Sequence, residues 1–178
     1  LEHPEVVSQL HREFIRAGSD IVQAFTYYGH REKLRIIGKE SLLEPLQKNA
    51  LQIAKDSKKE FKDLDLMVCG DVANTNVYDP NDKKSNIQCQ KMFEEQVAWA
   101  KEAGVDFVVA ETITWLEEMK IALKVIKDAG LTAVCNFSIK RDDITRDNFT
   151  PGDACKILED NGADVVGLNC FRGPKMMM

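Results

Sequence analysis

The hydrophobic positions of this chain fall into blocks whose period switches in strict alternation. In "HPEVVSQLHREFIRAG", Val6, Val7, Leu10, Phe14 and Ile15 recur at helical spacing, with Pro4 in the first turn and Gly18 as the stop. "DIVQAFTYY" then reads as a strand. Leu43, Leu46, Ala50, Ile53 and Ala54 share one face of a helix over residues 43–59, and "LDLMVCGDV" follows as a buried strand. A helix over residues 88–103, stopped by Gly104, precedes the strand "VDFVVAET". Another over 114–129, stopped by Gly130, precedes "LTAVCNFSI". Thr150 then caps a helix with Pro151 at its first position, Gly162 stops it, and "ADVVGLNC" is the last strand.

Five helix–strand pairs in this order predict an α/β fold, because the strands are near-continuous apolar runs of the kind buried in a parallel sheet. The junctions "RAGSDIV", "EAGVDFV", "DAGLTAV" and "NGADVV" repeat one helix-stop-to-strand unit. Connections from helix to strand are minimal. Those from strand to helix are long and polar: "YGHREKLRIIGKES", "ANTNVYDPNDKKSN" and "KRDDITRDNFT". Elaborated loops at the carboxyl ends of parallel strands are where such folds place their sites. The pattern leaves two architectures open. One is an open sheet, which lacks here the usual glycine-rich loop after its first strand. The other is part of a barrel of eight βα units, which typically takes about 250 residues.

Composition narrows the partners. The 178 residues suffice for one domain with a sizeable core. Hydrophobic residues make up 44% and charged residues 30%, as in a soluble globular protein, and the net charge of −5 comes without a basic patch interleaved with aromatics. Nucleic acid is therefore not an expected partner. No apolar run reaches the length of a membrane span, and Leu1 opens no signal-peptide pattern. Five cysteines without framework spacing favour a reducing, cytoplasmic compartment, with thiols free or bound to metal.

The strand ends collect the candidate chemistry: Thr26, Tyr27 and Tyr28; Gly70, Asp71 and Asn74; Glu111 and Thr112; Asn136 and Ser138; Asn169 and Cys170. Glu111, directly after four apolar residues, suits a substrate ammonium or a base, or else caps the following helix. Asp71 has the same two readings, the structural one being favoured. Tyr27 and Tyr28 point to opposite sides of a strand, or splay if it has already ended. A ring facing a cavity would bind a quaternary ammonium by cation–π attraction; the alternative is packing under a loop. Cys69 and Cys135 are expected in the core, and Cys89 and Cys155, at helix starts, are expected to be incidental. Cys170 differs because it ends its strand on the long-loop face. Zinc needs three or four ligands and no CxxC or HxxxH accompanies it, so spacing alone is a weak signal for metal and a lone buried cysteine is the default expectation.

Three stretches, "EHPEVVSQLHREFIRAGSDIVQAFTYYGHREKL", "VDFVVAETITWLEE" and "GADVVGLNCFRG", resemble the homocysteine S-methyltransferase family, its betaine-type members most closely. The resemblance covers nearly the whole chain, which corresponds to the middle of the family's domain. It implies a TIM-type (βα)8 barrel of which residues 1–178 hold about five βα units, strands two to six. The first strand, with an Asp-Gly-Gly segment, and the last two, with a Gly-Gly-Cys-Cys segment, are then expected outside this chain. The terminal "KMMM" is not among the stretches that carry the resemblance. The implied reaction moves a methyl group from betaine to the zinc-activated thiol of homocysteine, giving methionine and dimethylglycine. On that basis Cys170 is one of three zinc-binding cysteines and Glu111 holds the homocysteine amino group. Tyr28, with Tyr27 beside it, belongs to the betaine pocket. Two positions depart from the family: Tyr27 replaces a phenylalanine, and Thr112 replaces the tyrosine usual after the glutamate, which leaves the donor open. The implied partners are the small molecules homocysteine and betaine, without nucleic acid or membrane, and the full-length protein is expected to be a homo-oligomer.

Competing expectations are a non-catalytic barrel-derived fragment or interaction protein without a complete zinc site, a homocysteine methyltransferase with another donor, and a metal-free barrel lyase with Glu111 as base. This chain alone is expected to be inactive and to bind zinc weakly. With two exposed parallel edges it is also expected to be marginally stable or prone to aggregate.

Overall fold

Helix α1 (Pro4–Arg16) leads into strand β1 (Ile21–Gln23), and the short α2 (Arg31–Ile36) and a 3-10 turn at Glu40–Leu42 precede α3 (Leu43–Lys59). Then β2 (Met67–Ala73), α4 (Lys83–Ala103), β3 (Phe107–Ile113), α5 (Leu116–Asp128), β4 (Thr132–Phe137), α6 (Pro151–Asp160) and β5 (Val165–Leu168) alternate without exception. The computed structural model describes residues 1–139 and 144–173. Residues 140–143, in the loop after β4, and residues 174–178, with the "KMMM" terminus, lie outside the described residues.

The five strands are all parallel and lie in the order β1-β2-β3-β4-β5. That order decides between the two architectures. A doubly wound sheet reverses its strand order at a switch point and carries helices on both faces. Here the order never reverses, so right-handed crossovers place every helix on the same side. The cores agree. Val22, Val68, Val108 and Ala133, pointing outward, share one large cluster with the helical residues Leu51, Phe93, Leu123 and Leu158. The inner face holds only a small cluster of Cys69, Phe107 and Val109, with Val134 against it. This is the wall of a TIM-type barrel, curved around an inner cavity of about 520 Å³.

Three boundaries differ from the sequence reading. β1 ends after three residues, because beyond Ala24 the Thr26 N–H turns back to the Ala24 carbonyl at 2.8 Å. Tyr27 and Tyr28 therefore stand in a turn, not in a strand. α2 forms inside a stretch read as loop; His30 Nδ1 accepts from Lys33 N at 3.5 Å to cap it, and Leu34 is buried beneath. α4 begins at Lys83, capped by the Asp82 carboxylate from Lys84 N at 2.9 Å, so Cys89 is a buried residue of its second turn and not a helix start. Cys69 and Cys135 are fully buried, as expected.

The sheet edges leave apolar surface uncovered. Of the five apolar positions on α1 only Ile15 is buried, while Val6, Leu10 and Phe14 are exposed beside Ile21 and Phe25. α1 packs on α3 alone among the helices with several contacts, so one side of its apolar stripe has no neighbour among the described residues. Among the described residues, no helix is long and apolar enough to cross a membrane.

Candidate functional site

The carboxyl ends of the strands gather the residues singled out from sequence. Inner-face positions on β1, β2, β3 and β4 fall in register, so that Gln23 pairs with Cys69 and Ala73 with Glu111, which pairs in turn with Asn136. Glu111 is held from both flanks. Its Oε1 accepts from Gln23 Nε2 at 2.7 Å, and its Oε2 accepts from Asn169 Nδ2 at 2.6 Å. The first donor comes from β1 and the second from the residue after β5, so one carboxylate ties the two edges of the sheet together. Glu111 does not cap the following helix. The first amides of α5, Leu116 N and Glu117 N, donate instead to Asp147 at 3.1 and 3.2 Å.

Thr112 adds a backbone device. Its φ is +60°, and the β3–β4 register shifts between Glu111 and Ile113, which marks a bulge. The bulge turns the Thr112 side chain toward the same rim as Glu111. Thr112 N donates to Asn169 Oδ1 at 3.1 Å and Thr112 Oγ1 accepts from Asn169 Nδ2 at 3.0 Å. Cys170, the next residue, is exposed at φ +60°, not the buried thiol that spacing alone favours, because β5 ends at Leu168 and the chain turns outward; Phe171 follows at φ +44°. Two left-handed residues in succession turn the chain across the rim as it leaves β5.

Asp71 lies on the inner face two residues before Ala73, the register partner of Glu111, and is 3% exposed. Neither of its carboxylate oxygens has a hydrogen-bond partner of good geometry among the described residues. Burial pushes its carboxyl well above the usual range, the nearby Glu111 charge adds to this, and Gln23 offsets only part. Burial and the Glu111 charge thus favour the protonated form of Asp71, and its side chain caps nothing among the described residues. Gly70, by contrast, serves packing: a Cβ there would stand 2.9 Å from the Ala100 Cβ. Asn136 faces inward without a side-chain hydrogen bond among the described residues, and the buried Ser138 hydroxyl likewise has none.

The tyrosines form a tilted pair with ring centroids 4.5 Å apart at 48°. Tyr28, at φ +57°, also meets the edge of His30 at 5.7 Å, and Lys33 Nζ lies 4.5 Å from its ring centroid. The Tyr28 face thus already holds a cation. Partial burial pushes the Tyr27 phenol up to about 12. Thr26 is buried, its hydroxyl donating to the Asp71 carbonyl at 3.3 Å. Beyond the tyrosines a cavity of about 290 Å³ opens over Thr112, lined also by Asn74, Tyr78, Trp115, Glu118 and Arg146. Glu118 is buried, accepting from Thr75 N at 2.8 Å and Thr75 Oγ1 at 2.6 Å, and burial raises its pKa. Among the described residues, no three His, Cys, Asp or Glu gather closely enough to hold a metal ion. Gln23, Glu118, Trp115 and Arg146 were not singled out from sequence; the one legible signal was Gln23, a polar residue at an inward position of an apolar strand.

The family model described as "Homocysteine S-methyltransferase" matches residues 1–178. The chain belongs to the homocysteine S-methyltransferase family. Within it, the chain is 34% identical to betaine–homocysteine S-methyltransferase 1 of Xenopus tropicalis, over 98% of its own length and 43% of that protein. It is 35% identical to the Danio rerio protein of the same name, over 97% and 42%. It is 31% identical to the S-methylmethionine–homocysteine S-methyltransferase of Pongo abelii, over 98% and 45%. The chain thus spans less than half the length of these relatives. In fold it matches the homocysteine methyltransferase MmuM of Escherichia coli in its metallated form, with a TM-score of 0.82 at 18% identity over 96% of this chain and 65% of that one.

Proposed function

We propose that residues 1–178 are the homocysteine-binding part of a cytoplasmic methyltransferase that moves a methyl group from betaine to the thiol of homocysteine. The observation that carries this reading is the clamped Glu111, whose Asn169 clamp is followed directly by Cys170 in a chain of this family. A carboxylate fixed by two amide donors keeps its remaining lone pairs for a substrate ammonium, and Glu111 takes that role. Tyr28 and Tyr27 take the onium head of the donor, which displaces Lys33 Nζ from the Tyr28 ring face on binding. In the transfer the homocysteine sulfur loses its proton and attacks a donor methyl carbon in line. An S–C bond forms, the C–N bond breaks, and its electron pair stays on nitrogen, leaving dimethylglycine and methionine.

Zinc is implied by the family reading and finds one thiol here, Cys170, without the two or three further ligands a site requires. The described residues alone do not fit the ion, and their contribution is binding and orientation. Cys170 is assigned as one thiolate of a site completed by residues outside the described set. The experiment is a methyl-transfer assay with homocysteine and betaine on the full-length protein that carries this segment and on its Glu111→Gln variant. Methionine formation, with the homocysteine KM raised at least tenfold by the substitution, is the expected result. Transfer with an unchanged homocysteine KM would remove Glu111 from the site. Zinc content unaffected by Cys170→Ala would remove the ligand assignment.

A second donor is favoured by one position. Thr112 stands where betaine-type members are expected to carry tyrosine, and a relative of 31% identity is named for S-methylmethionine. The same assay run with that donor separates the two.

A further inference from the structure

Beneath the Glu111 clamp lies a buried acid that the transfer does not use. Gln23 on β1 is level with Cys69 of β2, and Glu111 on β3 is level with Ala73. Neighbouring strands stand about 4.8 Å apart, so the 2.7 Å bond from Gln23 Nε2 to Glu111 Oε1 spans β2 from side to side. It also runs diagonally, from the level of Cys69 to that of Ala73. The inner-face residue midway between those two levels is Asp71. The bridge therefore passes over Asp71, which is 3% exposed and has no hydrogen-bond partner of good geometry on either carboxylate oxygen among the described residues. A folded interior that leaves a carboxyl unpartnered calls for a reason.

The charge that acts on Asp71 is that of Glu111, from β3. From β1 it meets the neutral Gln23, and from the turn beyond β1 the neutral Thr26, whose hydroxyl donates to the Asp71 carbonyl. On β2 itself Cys69 stays a thiol, pushed up to about 12 by burial and then by the Asp71 and Glu111 charges. Two neighbouring carboxyls away from water do not both ionise, so Asp71, the more deeply buried, keeps a proton beside the charged Glu111. Gln23 is suited to serve both. Its Nε2 carries two hydrogens and spends one on Glu111, which leaves the second for Asp71 once that group ionises.

We propose that Asp71 is the proton-linked counter-charge of the substrate ammonium: when the ammonium settles on Glu111, the Asp71 O–H bond breaks, the proton passes to solvent, and the new carboxylate accepts the second hydrogen of the Gln23 amide. The ammonium keeps its three hydrogens. The empty site holds one carboxylate and one acid, and the filled site holds two carboxylates against one cation. This rests on the reading of Glu111 as the holder of the substrate amino group. It goes further by coupling that binding step to pH through Asp71, a positioning residue that touches no reacting atom. Because binding expels a proton, an amino acid binds more tightly as the pH rises.

The test uses the full-length protein that carries this segment, with methionine as the probe, because methionine has the ammonium and no thiol to ionise. Calorimetric titration at pH 7 in buffers of different ionisation enthalpy counts the protons released per methionine bound. Release of about half a proton or more is expected, with affinity rising about threefold or more per pH unit between about pH 6 and 7.5, since one full proton corresponds to about tenfold per unit. Asp71→Asn is expected to bring the release to near zero and to flatten the pH profile. Asp71→Ser, equally without a titratable group, gives the same reading should the first variant not fold. Failure of methionine to bind, binding without release, or release that persists in the variants overturns the proposal. If methionine binding is lost in Glu111→Gln but releases no proton in the parent, Glu111 keeps its role and only Asp71 loses its own. If the release depends on Asp71 but no donor methylates homocysteine, the coupled site stands and the methyltransferase reading fails.

Discussion

Asn169→Ala removes the side chain that joins β3 to β5 at the site. Three hydrogen bonds go with it. One is charge-assisted, from Nδ2 to Glu111 Oε2 at 2.6 Å, and two are neutral, with Thr112 Oγ1 at 3.0 Å and Thr112 N at 3.1 Å. A bond to a charged group is worth about 1.5–3 kcal/mol and a neutral one about 0.5–1.5 kcal/mol. Asn169 is only half-buried, so water replaces part of each, and one amide serves two acceptors, so the terms do not add in full. The net loss comes to about 2 kcal/mol. For a chain of this length that lowers the melting temperature by about 4–8 °C. The assay is urea or thermal unfolding followed by circular dichroism, with Asn136→Ala as the control. Asn136 is the same residue type in the adjacent strand, on the same inner face, without a side-chain hydrogen bond among the described residues, so its replacement is expected to cost under about 0.5 kcal/mol. Equal effects of the two substitutions would refute the account, because then generic side-chain loss, not the Glu111 clamp, sets the cost.

Two further outcomes concern pH. Asp71 has its folded pKa raised by burial and by the Glu111 charge, so the native state holds a proton that the unfolded chain releases. Its contribution is full below the ordinary carboxylate pKa of about 4 and is lost as pH rises toward the folded value. Asp71→Asn should therefore be more stable than the parent at pH 7 and equal to it near pH 4, read from urea midpoints; a gap that grows toward acid would contradict the buried neutral acid. His30 has the opposite sign. Burial lowers its pKa from 6.5 to about 4, so its contribution is present above about pH 6.5 and is lost as pH falls to 4. His30→Gln should flatten the stability profile across that window, whereas a profile equally steep in the variant would place the acid sensitivity elsewhere.

The helices and strands were legible wherever a long periodic run met a strong stop, as at Gly104, Gly130 and Gly162, all at positive φ. The short α2 was not, because six residues with one buried side chain carry no measurable period. The end of β1 was hidden by composition: Phe25, Thr26 and Tyr27 suit a strand, and only the tertiary turn at Ala24 removes them from it. The site divides in the same way. Glu111 and Cys170 were marked by their place at strand exits. The bond between Gln23 and Glu111 joins residues 88 positions apart, and that between Thr75 and Glu118 spans 43. Such partners become visible only when the sheet has curved them onto one rim. Arg146 was obscure for a simpler reason: it lies in a polar loop, where a lone arginine is ordinary.

The unreversed order of the five strands also sets how protection against hydrogen exchange is distributed. Each βα unit leans on its sequence neighbours, so opening frays inward from both edges and β3 is the last strand to go. Glu111 rides on that most protected strand, whereas Cys170 follows β5, an edge strand of four residues. Amides around Glu111 are therefore expected to exchange slowly and those around Cys170 quickly, so the two positions the sequence marked at strand exits run on different clocks.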